Sequence, residues 1–169
     1  PFETIPFDRI RDEHYMPAIR EGIRLAQAEV DAIVKNPEAP DFQNTIAALD
    51  RNGAFLDRVL SAFSGVNGAH TSPEKQKLAR EMSPLLSAHG DNISLNPGLF
   101  ARVKAVYEQR DVLKLTREER YLLENTYKGF VRGGALLNDE QKATLRQINQ
   151  ELSLASLKFS QNLLQETNG

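Results

Sequence analysis

An all-α fold of about six antiparallel helices, arranged as in a bundle, is predicted by three observations. Apolar residues recur at spacings of three and four along successive segments. Those segments open on capping or proline signals. Nowhere does the chain alternate apolar and polar residues as a half-buried strand does.

The first helix is expected from Pro17 to Val34. Ile19, Ile23, Ala26, Val30 and Ile33 form one face, and Pro17 falls in the first turn, where a missing N–H costs little. Residues 36–53 read NPEAPDFQNTIAALDRNG: Pro37 and Pro40 stiffen a connector, and Asp41 opens a second helix. That helix carries Phe42, Ile46, Leu49, Gly53, Leu56, Leu60 and Phe63 on one seam and is expected to reach about Val66, where Gly65 and Gly68 weaken it. Gly53 on an apolar seam reads as a point where another helix approaches closely.

Ser72-Pro73 starts a third helix, in which Pro84 predicts a kink or local break. Asn96-Pro97 starts a fourth, whose Leu99, Phe100, Val103, Val106 and Tyr107 make a broad face able to pack on two sides. Thr116 with Glu119 is a capping box for a fifth, lined by Leu123, Tyr127 and Phe130 and ended by Gly133-Gly134. Asn138 with Gln141 caps a sixth, along which Leu145, Ile148, Leu152, Ala155, Phe159 and Leu163 recur. The seams of the second and sixth helices are expected to be core rather than a ligand groove or partner surface.

At 169 residues, one domain is expected, burying roughly 70% of its unfolded surface. Hydrophobic residues at 40% and charged residues at 26% are too apolar a mix for intrinsic disorder. A net charge of −2 with interleaved signs offers no basic stripe, which excludes nucleic acid as a partner. No apolar run approaches the roughly 18 residues that cross a bilayer, so no membrane span is expected. Zero cysteines exclude disulfides and thiol chemistry while leaving both the cytoplasm and the periplasm open. The opening PFETIPFDRI lacks Met and the features of a signal peptide, so the sequence is expected to begin inside a longer protein.

The search for chemistry yields no catalytic, cofactor-binding or metal-binding residue. His14, His70 and His89 are far apart, whereas a helical zinc peptidase needs His-Glu-x-x-His to set two imidazoles on one face. Glu13-His14 and His89-Gly90-Asp91 come nearest but lack a third ligand. His14 reads instead as a residue at a helix start and His89 as one near a helix end, where a partly charged ring suits the dipole. Glu118-Glu119 and Asp139-Glu140 sit in first helical turns, where acidic groups stabilise the helix end. Neither a nucleophile elbow nor a phosphate-cradling loop occurs, and the glycosylation-like Asn92-Ile93-Ser94 carries no weight.

Four ordered blocks nevertheless carry a resemblance. PFDRIRDEHYMPAIREGI, NPEAPDFQNTIAALDRNG, LNPGLFARVKAVYEQRDVL and LLENTYKGFVRGGALLNDEQKATLRQINQELSLASLKFSQNLL run from Pro6 to about Leu164. In order and without obvious gaps, they resemble the N-terminal region of the thimet oligopeptidase family of zinc metallopeptidases. The resemblance implies a helical wall over a deep channel in which short peptides are cut. Residues 1–169 would form the N-terminal helical domain, with the catalytic domain of the same polypeptide as partner. The family's His-Glu-x-x-His helix lies further along its chain, so zinc is implied for the parent and none for this chain, which alone would be inactive. A stand-alone helical module that binds a protein partner without catalysis is the alternative.

Overall fold

The computed structural model describes residues 5–167, apart from the side chains of Leu164, Gln165 and Thr167. The outermost positions of the expected domain, 1–4 and 168–169, lie outside the described residues. The order is α1 (Asp12–Lys35), a π-helix (Phe42–Ala47), α2 (Ala48–Asp50), α3 (Ala54–Ala69), α4 (Pro73–Ser94), α5 (Pro97–Glu108), α6 (Arg117–Arg132) and α7 (Asp139–Thr167). No strand occurs among the described residues.

α1 is the spine. Its buried residues Tyr15, Ile19, Gly22, Ala26, Val30 and Ile33 form one continuous stripe, as the sequence pattern requires. The first half of that stripe meets Leu56, Ala62 and Phe63 of α3 and Met82 of α4, with Tyr15 and Phe63 edge to face at 5.1 Å. The second half packs on α5 and joins one cluster with its Leu99, Phe100, Val103 and Val106, with Phe42 and Ile46 of the π-helix, and with Leu123 and Phe130 of α6. The two cores thus share α1, and α4 reaches both as well, with Met82 in the first and Ile93 against the second. α5 packs on two sides as its broad face predicts, and the ring pairs Phe100–Phe130 (6.0 Å) and Tyr107–Tyr127 (3.9 Å) join it to α6.

The local start signals act as read. Ser72 accepts from the Lys75 N–H (3.3 Å) and Asn96 from the Leu99 N–H (2.9 Å). Thr116 and Glu119 exchange backbone bonds at 3.2 and 2.9 Å, and Asn138 and Gln141 do the same at 2.9 and 3.1 Å. Gly134 takes φ +95° just past the end of α6, a backbone region that suits glycine.

Several expectations are revised. α1 begins at Asp12, so Pro17 is its sixth residue and not in the first turn. The cap that allows this is unusual: the Arg11 N–H donates to Nδ1 of His14 at 3.1 Å. Pro17 is tolerated because it and Glu13, whose carbonyl it leaves without a donor, are exposed to water.

The second helix is not continuous. It opens as a π-helix, turns at 51–53, and resumes as α3, which runs through Gly65 and Gly68 to Ala69. The turn centres on Gly53 at φ +78°, held by Glu29 of α1, which accepts from the Asn52 side chain (3.0 Å) and the Gly53 N–H (2.9 Å). Gly53 is therefore required by backbone conformation and not by a close helix, since a Cβ there would meet only Ala26 Cβ at 3.7 Å. The close approach lies at Gly22, where a Cβ would stand 3.0–3.1 Å from Cα, Cβ and Cδ1 of Leu56.

Of the kink or local break expected at Pro84, the break does not occur: α4 runs continuously from Pro73 to Ser94. Finally, the apolar seam of α7 is not core. Ile148 (53%), Leu152 (61%) and Phe159 (69%) are exposed, in contrast to the buried seam of the second predicted helix.

Candidate docking face

The titratable groups are dispersed. His14 is occupied at Nδ1 by the cap of α1, and its Nε2 lies 3.8 Å from Glu13. His70 is the exposed C-cap of α3. His89 is buried in α4 with its Nδ1 unpartnered, and desolvation holds its pKa below the usual histidine range. Asp91, one turn-edge away, accepts from Nδ2 of Asn149 at 2.6 Å. Glu118-Glu119 and Asp139-Glu140 occupy the first turns of α6 and α7. Among the described residues no three His, Asp or Glu side chains converge, so this set does not fit a zinc centre.

What the fold does present is an inverted helix. α7 lies antiparallel on α4, as the pairs Arg146–Asn92 and Gln161–Arg80 (both 3.0 Å) require. Its inward side is largely polar: Asn149 donates to Asp91, and Nε2 of Gln161 donates to the Gln76 carbonyl at 3.4 Å. Ser153 and Leu157 continue that side, half-buried. Ile148 and Leu152 each precede an inward residue by one position, about 100° around the helix, which leaves both exposed, Leu152 at the edge of the contact with α4. Half of the large apolar side chains left exposed among the described residues belong to α7.

Leu152 also forms part of a groove of about 560 Å³ between α3 and α7. The floor is α4, with Met82 and the small residues Ser83, Ser87 and Gly90, while Leu60 and Phe63 stand on the α3 side. A separate apolar cavity of about 270 Å³ lies between the start of α1 and α3, lined by Ile10, Tyr15, Phe55 and Val59 with His14 and Arg58 as its polar members.

A second built feature is the clasp on the 36–44 connector. Arg102, 8% exposed on α5, donates from Nη1 to the carbonyls of Asn36 (2.9 Å) and Glu38 (3.2 Å) and from Nη2 to Oδ1 of Asn44 (3.0 Å). Asn44 in turn donates to the Ala39 carbonyl at 2.8 Å and exchanges backbone bonds with Asp41. Sequence reading missed Arg102 because it looks only at apolar positions on that face. The available signal was a charged residue between Phe100 and Val103 on a helix buried from two sides.

No helix of the described residues is long and apolar enough to cross a membrane. No family model matches the chain. It is 44% identical over 164 residues to a dipeptidyl carboxypeptidase of Salmonella typhimurium, a match covering 97% of this chain and 24% of the relative. The dipeptidyl carboxypeptidase of Escherichia coli is 42% identical with the same coverage. Oligopeptidase A of Escherichia coli is 25% identical over 169 residues, all of this chain and 25% of the relative. The chain spans about a quarter of the length of the curated relatives it matches. Across nearly its whole length, then, it is homologous to a quarter-length stretch of dipeptidyl carboxypeptidases and, at lower identity, of oligopeptidases A, members of the thimet oligopeptidase family.

Proposed function

We propose that residues 1–169 are the N-terminal helical domain of a zinc-dependent peptidyl-dipeptidase or oligopeptidase that hydrolyses short peptides, with its catalytic motif outside this chain. The reading rests on identities of 42–44% that extend over 97% of the chain while covering 24% of each relative. In this reading the domain is a wall of the substrate channel. A wall confines hydrolysis to short, flexible peptides by excluding folded chains, and it excludes competing reactions. The three histidines offer no shared geometry for a metal, so zinc is assigned to the remainder of the polypeptide and no step of the chemistry to these residues.

The test begins with the reading frame. A His-Glu-x-x-His downstream of Gly169 is expected, and a stop codon directly after it would sink the proposal. The full polypeptide should then hydrolyse an internally quenched peptide and retain zinc after dialysis, whereas the 169-residue chain should do neither. One tightly held zinc per isolated chain would place metal chemistry here instead.

A further inference from the structure

The outward stripe of α7 invites an occupant. Ile148, Leu152, Ala155 and Phe159 recur at spacings of four, three and four, the pattern that a second amphipathic helix interlocks with. All four are exposed, and Leu152 continues the stripe into the α3–α7 groove, whose small-residue floor admits a close helix. We propose that this stripe and groove receive an amphipathic helix from the remaining polypeptide of the longer peptidase. The inference rests on the functional reading above and names the face by which this segment is attached.

Two observations favour a tethered occupant over a free one. The relatives are about four times as long as their match to this chain, so most of such a polypeptide has still to be placed against it. The stripe offers on the order of 400 Å² of apolar surface, within the ~300–600 Å² of the largest and often functional patch on a monomer, and short of the ~800 Å² per partner of a stable association between separate molecules. A covalently continuous partner needs no such area, because linkage supplies a high effective concentration. The large exposed apolar side chains outside α7, Phe7, Phe55, Val112, Tyr121 and Leu136, are scattered along the chain.

The chain holds no cysteine, which makes a thiol scan clean on this segment. Leu152→Cys and Phe159→Cys would each be made in the 169-residue chain and in the full polypeptide, with Val112→Cys, at an 80% exposed position, as control. Maleimide labelling of each site is followed by peptide mass spectrometry. The expected result is labelling at least tenfold slower in the full polypeptide at positions 152 and 159, with the control rate unchanged. Equal rates in both contexts overturn the docking assignment. Peptide hydrolysis by the same full-length sample reports separately on the functional reading, so an active enzyme with unprotected thiols refutes the face alone. A 169-residue chain that sediments as a dimer, and becomes monomeric on Phe159→Glu, would assign the stripe to a second copy instead.

Discussion

Replacing Arg102 by methionine tests whether one buried cation organises the connector between α1 and the π-helix. The side chain makes three hydrogen bonds, two to main-chain carbonyls and one to Asn44. Hydrogen bonds from a charged donor contribute roughly 1.5–3 kcal/mol each. Against that stands the cost of burying the guanidinium, which methionine does not incur. The net loss expected for Arg102→Met is therefore about 2–4 kcal/mol. Arg102→Lys keeps the charge but not the fork that spans both carbonyls and the amide, and should lose about half as much. Urea denaturation followed by circular dichroism reads both values, provided the slope with denaturant stays at the parent's level. Amide exchange at residues 38–44 should accelerate in the methionine variant before the rest of the chain changes. A midpoint equal to the parent's for Arg102→Met would show that the clasp adds nothing beyond packing.

Gly22→Ala should destabilise by about 1–3 kcal/mol despite its better helix propensity, because the new methyl meets the Leu56 backbone; a midpoint at or above the parent's would refute the close approach. Gly53→Ala should lose roughly 1–2 kcal/mol through its positive φ, and Gly53→Asn less, since asparagine tolerates that region; equal losses would refute the conformational reason. His89 has a folded pKa below its unfolded value, so the unfolded state binds the extra proton. Stability should thus be full above the unfolded pKa near 6.5 and fall as pH drops below it, and His89→Leu should flatten the thermal midpoint between pH 7 and 5; an unchanged slope would refute this. Leu152→Ser and Phe159→Ser should leave the 169-residue chain within ~0.5 kcal/mol of the parent, and losses above 2 kcal/mol would mean that the stripe is core.

The helix starts were legible because caps are local chemistry. Ser72, Asn96, Thr116 and Asn138 each bond an N–H three residues away, so the signal lies within four letters. α1 escaped that reading because its cap is a backbone N–H received by a histidine ring. The break at Gly53 was hidden by periodicity: Leu49, Gly53 and Leu56 keep helical spacing across a turn that is not helical. Asn52-Gly53 was the contrary signal, a dipeptide that marks turns. α7 shows a different limit. Spacing reveals that an apolar stripe exists, but which side meets α4 is decided by Asp91, Asn92 and Gln76, residues more than fifty positions away. The candidate docking face was visible as a pattern and invisible as a surface.

The sharing of α1 between both cores has a consequence for how the chain comes apart. Each core also draws on α4, whose Met82 lies in one and whose Ile93 packs against the other, so two helices run between the halves. Cooperativity therefore passes along α4 as well as through the stretch from Gly22 to Val30, where the buried stripe of α1 changes partners. A defect confined to α3 or to α6 is expected to loosen one half, with amide protons of the other half exchanging at the parent's rate. A defect at Ala26, on that stretch, leaves α4 as the second tie, so releasing both halves together takes a defect in each of the two helices.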